Sequence, residues 1–178
     1  MAIADAHYND FDFADALGAY LQVTGMDLDT KQRYHAYYRA AQCAFNLQRI
    51  DDGLAYLNNL MKDEIYYDSL GSLKLAAAKG YEGAGELDLA QEIFEDVAET
   101  AEDADAQAIA NYRLGLIHQH EYDNLSLARE YYDKAAEASR TSPVRALAIQ
   151  GSSDISKRER YERTGLDTAT TQAAIDDA

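Results

Sequence analysis

The sequence contains 4 histidines and 32 acidic residues, the side-chain types that hold metal ions or transfer protons in many enzymes. His118 and His120 are two positions apart, so on a helix their side chains project from different sides and do not share one ion. His7 and His118 occupy equivalent positions of the internal repeat described below, which favours a packing role for both. A catalytic carboxylate pair needs a desolvated cleft, and most acids here fall on predicted outer helix faces. The sequence therefore predicts no metal site and no acid–base pair.

A glycine-rich segment and a single cysteine are the other residues with chemical potential. The segment 79–85 lacks the preceding strand and the following Lys-Ser/Thr pair of a phosphate loop, so it is predicted to end a helix and form a hairpin turn. Cys43 has no partner for an internal disulfide and is predicted to be a small buried side chain. No Gly-x-Ser-x-Gly or His-Glu-x-x-His motif is present. We expect neither catalysis nor a cofactor, with an enzyme of unrecognised type as the remaining alternative.

The charge of the chain limits its partners. A formal net charge of −16 and a pI near 4.4 make binding to nucleic acid or to anionic lipid unfavourable. No apolar run approaches the roughly 18 to 20 residues of a membrane span, so no membrane insertion is expected. Between Glu82 and Asp105 there are ten acids and no Lys or Arg. This run predicts a solvated outer face or, alternatively, an acidic patch that attracts a basic partner.

An internal repeat defines the elements that position these residues. Four small residues recur at spacings of 37, 37 and 38, namely Ala16, Gly53, Ala90 and Ala128. An apolar residue stands three positions before each, and a large apolar or aromatic residue stands four positions after each: Tyr20, Leu57, Phe94 and Tyr132. This spacing places all three columns on one helical face.

A second set of small or apolar pairs recurs upstream at the same period, which indicates two helices in each repeat. The pairs are Ile3-Ala4, Ala40-Ala41, Ala77-Ala78 and Leu114-Gly115. Small residues at these positions allow two antiparallel helices to approach closely. The predicted helices are 9–24, 30–47, 50–63, 69–82, 87–101, 104–119, 125–139 and 142–162, the last capped by Ser142 and Pro143.

These columns resemble the tetratricopeptide repeat family, most closely at Leu114-Gly115, the Gly85 turn, Ala90 with Phe94, and Ala128 with Tyr132 and Ala135. The resemblance covers residues 1–160. It implies an all-α fold, a right-handed α-solenoid of antiparallel helix pairs. Lys74 and Asn111 depart from the family, which prefers a large apolar residue there, and a divergent or Sel1-like repeat remains an alternative, particularly for Leu114 to Ala138.

The predicted organisation is one repeat domain, residues 1–163, followed by an acidic flexible tail or linker, residues 164–178. Within the domain we expect a half or short repeat 1–25, repeats 29–65, 68–102 and 104–140, and a capping helix 142–163. The half repeat suggests a shortened start or a segment of a larger protein. The chain as given is expected in the cytoplasm, or in the cell envelope if it belongs to a longer exported protein.

The family resemblance also implies a concave groove, lined by the first helix of each repeat, in which a protein partner binds. The residues projected onto it are His35, Tyr38, Arg39, Gln42, Asn46, Lys79, Glu82, Tyr112, Arg113 and Gln119. Tyrosine and arginine are enriched where proteins bind. The cations Arg39, Lys79 and Arg113 predict an acidic or carboxylate-bearing partner segment. The alternative is that tyrosines fill helix interfaces and that each cation pairs with a nearby acid, such as Glu82 for Lys79.

The family's carboxylate clamp for chaperone tails is not expected, because Tyr38, Leu75 and Tyr112 stand at its lysine column. The function predicted from the sequence is a protein–protein interaction scaffold or adaptor that holds a peptide or a partner helix. A structural spacer or an oligomerisation module, associating through exposed repeat ends, is the alternative.

Overall fold

The computed structural model describes the backbone of residues 1–176 and the side chains of residues 1–165. Within these residues the secondary structure is helical and contains no strand, which confirms the all-α prediction. The helices are α1 (Ala2–Asn9), α2 (Phe13–Thr24), α3 (Thr30–Asn46), α4 (Ile50–Met61), α5 (Leu70–Ala84), α6 (Leu87–Thr100), α7 (Ala104–His120), α8 (Leu125–Ala138) and α9 (Arg145–Asp176). A short 3-10 helix, Glu64–Ser69, precedes α5.

The structure departs from the predicted helices at several points. The predicted helix 9–24 is wrong at its start, because Phe11 adopts a left-handed φ of 62° that separates α1 from α2. The 3-10 helix was not predicted; its Tyr66 is buried and donates a hydrogen bond to the carbonyl of Thr30 at 3.1 Å. The last helix begins at Arg145 rather than at Ser142.

Helix α9 continues to Asp176 and so includes most of the segment 164–178 that the sequence predicts as a flexible tail or linker. The side chains beyond Gly165 lie outside the described residues, so the tail stays a prediction. The structure divides the chain into two compact units, with the boundary between Ala106 and Gln107, in the first turn of α7. The predicted domain bounds stay a prediction.

The first unit is a series of consecutive antiparallel helices, in which each of α1 to α6 packs against the next. The repeat columns supply its core, since the side chains of Ala16, Tyr20, Leu57 and Phe94 are fully buried. Burial of such large apolar side chains stabilises the fold by roughly 1.5–3 kcal/mol each. The small residues of the first helices are buried as well, including Cys43, which is free and completely enclosed as predicted.

The second unit, from Gln107 onward, is centred on the ring of Tyr132 in α8. A Cβ on Gly115 of α7 would lie 2.6 Å from one edge of this ring, and a Cβ on Gly151 of α9 would lie 2.8 Å from the other. Only glycine therefore allows both helices to approach α8 this closely. His118 is also packed, at 7% exposure, with its ring stacked on Tyr131 at 5.3 Å, as its predicted packing role requires.

The two departures from the family pattern have local structural explanations. The ammonium of Lys74 in α5 lies 2.5 Å from the carboxylate of Asp96 in α6, so an ion pair joins two helices where the family packs an apolar side chain. Asn111 is nearly buried and its amide donates to the carbonyl of Gln107, one turn earlier. Both polar side chains thus satisfy their polar groups without leaving the helix interface.

Candidate functional site

The predicted groove residues of α3 meet the short helix α1 in the first unit. The guanidinium of Arg39 lies over the ring of Tyr8, 4.2 Å from its centroid, in a cation–π contact. Its Nη1 donates to the side-chain carbonyl of Gln42 at 3.0 Å, and the Tyr8 hydroxyl donates to the same oxygen at 3.2 Å. These contacts hold the guanidinium plane in one orientation while part of it stays exposed. Its remaining N–H groups are suited to a bidentate carboxylate.

One turn earlier, His35 belongs to a three-residue cluster around Asp5. The Oδ1 of Asp5 in α1 accepts a hydrogen bond from the hydroxyl of Tyr20 at 2.6 Å and lies 2.7 Å from Nε2 of His35. Burial raises the pKa of Asp5, but the hydrogen bonds from His35 and Tyr20 outweigh it and leave the pKa below its usual value. Burial and the adjacent Asp5 together raise the pKa of Tyr20. The cluster connects α1, α2 and α3, and its hydrogen bonds from Tyr20 and His35 stabilise the negative charge of Asp5.

Tyr38 combines a packing role with surface exposure. Its ring stacks on Tyr34 with centroids 5.6 Å apart, and Tyr34 in turn packs against Tyr66 at the same distance. Burial raises the pKa of both Tyr34 and Tyr38. The alternative expectation that tyrosines fill helix interfaces therefore applies to this side chain, although part of it remains exposed.

Two further predicted residues, Asn46 and Lys79, come together at the carboxyl-terminal ends of α3 and α5. Both line a cavity of about 220 Å³, together with Phe45, Gln48, Ile50, Gly80 and Gly83. The Phe45 ring packs where a Cβ on Gly80 would be, whereas the space beside Gly83 is open, since a Cβ there would meet no atom within 4 Å. The amide of Asn46 donates to the carbonyl of Gln42, which fixes its orientation.

The remaining predicted residues divide between the units. Glu82 is half-buried in the last turn of α5, in the first unit. In the second unit Tyr112 packs against Tyr132 at 5.7 Å, and the carbonyl of Gln119 accepts the Tyr132 hydroxyl at 2.6 Å. Arg113 is half-buried on the same helix. Gln119 thus has an internal structural contact. None of the ten predicted residues is fully buried.

Sequence reasoning missed the contribution of α1 to this site. It treated residues 1–8 as a truncated helix and named no site residue there, yet Asp5 and Tyr8 hold His35 and Arg39 in place. The repeat period carried a signal for this, because Asp5 stands 37 positions before Gln42, which is 37 before Lys79. Asp5 therefore belongs to the same column as two residues that were predicted.

A second polar cluster lies at the turn between α1 and α2. His7, Asp12 and Asp15 each offer one atom that could bind a metal ion, a histidine nitrogen or a carboxylate oxygen, and these atoms lie within 4.8 Å of one another. The sequence predicted no metal ligands. His7 is about 38% exposed and lies 3.6 Å from Asp12, so the packing role expected for it is wrong. We assign no function to this surface cluster.

Comparison with known proteins addresses the fold. No protein-family model matches the chain, and no curated protein matches it. Among solved structures, the crystal structure of MamA is similar over 92% of this chain and 98% of its own, with a TM-score of 0.58 and 16% sequence identity. MamA contains tetratricopeptide repeats. The chain therefore has a helical-repeat fold of the tetratricopeptide type.

This finding confirms the predicted fold class, a helical solenoid type built of antiparallel helix pairs. At 16% identity the likeness extends to the fold alone. Among the described residues, no helix combines the length and the apolar content that crossing a membrane requires.

Proposed function

We propose that the chain is a protein-interaction scaffold or adaptor that binds an acidic, carboxylate-bearing segment of a partner protein through α1, α3 and α5 of its first unit. The fold supports this proposal, since helix-pair repeats present rows of exposed side chains along one series of helices. A binding role without catalysis fits the tetratricopeptide-type fold. The cytoplasmic location and the Sel1-like character of the third full repeat stay predictions.

The observation that carries the proposal is the state of Arg39. It is a partly exposed, oriented cation in a protein of net charge −16, and no carboxylate among the described residues lies within ion-pairing distance of it. In so acidic a protein, an arginine that pairs with an internal glutamine and an aromatic ring rather than with an acid is suited to an external acid. Such a pair fixes the register of a partner and rejects wrong partners more than it adds affinity.

Capture experiments with the full chain test this proposal. Wild-type protein and the variant Arg39→Ala are used as baits under identical conditions, and each bound protein is quantified by mass spectrometry. We expect Arg39→Ala to reduce capture several-fold and wild-type capture to fall as salt rises. The variant Arg113→Ala, alone and combined with Arg39→Ala, tests whether Arg113 in the second unit also contributes to partner capture.

Arg49→Ala is the control, because Arg49 is an exposed arginine of the same unit whose guanidinium lies 2.7 Å from Asp52 at the start of α4. This variant removes the same charge from the same unit and should capture normally. Circular dichroism verifies the fold of each variant. Equal capture by the Arg39→Ala and Arg49→Ala variants would refute the proposal and direct attention to the acidic surface between Glu82 and Asp105.

A structural spacer or oligomerisation module is the second candidate, favoured by exposed apolar side chains in the first helix pair and the loop that follows it. Ile3 is 71% exposed, Phe11 78% and Met26 63%. Exposed apolar side chains mark a contact surface where they form one contiguous patch. Light scattering across a concentration series tests this alternative: self-association should weaken in the variant Phe11→Ser, and a strict monomer at every concentration excludes it.

A further inference from the structure

The cavity at the ends of α3 and α5 has the size and the lining of a side-chain receptor. Its volume of about 220 Å³ exceeds the roughly 150 Å³ apolar cavity that accommodates a benzene ring in another protein. Its lining is Phe45, Asn46, Gln48, Ile50, Lys79, Gly80 and Gly83. The ring of Phe45 and the side chain of Ile50 supply apolar contact area, and the space beside Gly83 is open.

The charge around the cavity selects what enters it. Its seven lining residues include one cation, Lys79, and no carboxylate. Arg39 lies on the same helix as Asn46, seven residues earlier, which corresponds to two turns and about 10 Å along the axis. An extended chain advances about 3.3 Å per residue, so three residues span the distance from the cavity to Arg39.

We propose that this cavity receives an aromatic side chain of an acidic partner segment, and that a carboxylate three residues away in that segment pairs with Arg39. The inference rests on the proposed function and specifies the partner chemistry of the same site. An aromatic anchor in a pocket next to an oriented arginine is the kind of arrangement that concentrates binding energy in protein interfaces.

A small probe tests the cavity without any cellular partner. Titration of the full isotope-labelled chain with 3-phenylpropionate, an aromatic ring carrying a carboxylate, is followed by amide chemical shifts. We expect saturable shifts confined to the amides around Phe45–Ile50 and Lys79–Gly83, with a dissociation constant on the order of millimolar for a ligand of this size. The uncharged 3-phenylpropionamide should bind several-fold more weakly. Absence of localised, saturable shifts overturns the proposal.

Substitutions of glycine block the cavity without disturbing the core. A Cβ on Gly83 would meet no atom within 4 Å, so Gly83→Leu fills the space while the fold is kept. Gly18→Leu is the control, because Gly18 in α2 is exposed and equally free of neighbours. We expect Gly83→Leu to abolish the shifts and Gly18→Leu to retain them. Undiminished binding by a folded Gly83→Leu variant shows that the probe binds elsewhere and overturns the assignment.

Two blocked peptides test the spacing between the ring and the carboxylate. One is a heptapeptide of alanines with a central phenylalanine and an aspartate at each end; the other has asparagine in place of both aspartates. Wild-type protein should prefer the aspartate peptide by about 3- to 5-fold, the range expected for an exposed ion pair, and Arg39→Ala should lose the preference. A preference that persists in Arg39→Ala overturns the carboxylate assignment.

The two proposals fail in different ways. If Arg39→Ala and Arg49→Ala capture partners equally, the acidic-partner function is wrong whatever the cavity binds. If Arg39→Ala loses capture but 3-phenylpropionate does not reach the cavity, the function stands and the aromatic anchor is wrong.

Discussion

The packing of Gly115 in α7 against Tyr132 makes a sharp prediction for Gly115→Ala. Gly115 lies in the middle of α7, and an added methyl group would be 2.6 Å from Cδ1 and Cε1 of Tyr132. The ring has no room to retreat, because its other edge, Cδ2 and Cε2, would be 2.8–2.9 Å from a Cβ on Gly151. Tyr132 is only 1% exposed, and its hydroxyl is held by Gln119.

The expected magnitude is the difference between two opposing effects. Replacing glycine by alanine inside a helix stabilises it by about 0.5–1 kcal/mol. Overpacking a closed core costs about 1–3 kcal/mol, because neighbouring atoms must shift against good packing. The steric term is larger here, so we expect Gly115→Ala to lower the free energy of unfolding by about 1–2 kcal/mol.

Urea unfolding followed by far-UV circular dichroism measures this difference, and amide exchange of α8 reports it locally. Gly165→Ala is the matched control in the same unit, since Gly165 lies in α9 and a Cβ there meets nothing within 4 Å. That variant should gain up to about 1 kcal/mol. The double variant Gly115→Ala with Tyr132→Leu should be less destabilised than the sum of its single variants.

The reasoning is refuted if Gly115→Ala stabilises the protein as much as Gly165→Ala does. Additive effects in the double variant would also contradict it, because they would show that the alanine methyl and the Tyr132 ring do not compete for space.

Three further predictions concern the first unit. Ala90→Leu should lower the free energy of unfolding by about 1–3 kcal/mol in urea titrations, because Ala90 is fully buried at a helix contact. Asp5→Asn should destabilise the protein at neutral pH: the folded pKa of Asp5 is lowered, so its contribution is present above the unfolded value and lost as pH falls. Unfolding titrations at several pH values should therefore show the difference from wild type shrinking below about pH 4. Burial raises the pKa of Cys43 to about 11, so iodoacetamide at about pH 8 should alkylate it only after unfolding, as measured by mass spectrometry.

The helices and their buried faces were predictable because both depend on local spacing. Residues three, four and seven positions apart share a helical face in any protein, so the column of Tyr20, Leu57, Phe94 and Tyr132 was identified as core before any contact was known. All four are buried. Most observed helix ends fall within three residues of the predicted ones, since glycine, proline and capping residues act within one turn.

Local deviations were less accessible to the sequence. At the break between α1 and α2, the aromatic residue Phe11 adopts a left-handed backbone conformation. Glycine and asparagine are the residues that usually adopt this conformation. The 3-10 helix is fixed by burial of Tyr66 and its bond to Thr30, 36 positions away. Neither feature has a signature in the adjacent residues, because distant packing partners stabilise the local backbone.

For the site, the sequence determined the residue types and the face, and the tertiary structure decided their partners. The repeat period placed Arg39, Asn46 and Lys79 on first helices, but it did not indicate that Arg39 stacks on Tyr8 or that Asn46 and Lys79 line one cavity. A periodic pattern specifies which side of a helix a residue occupies. Which side chain it meets depends on how closely neighbouring helices approach, and that is set by the shapes of residues about 30 positions away.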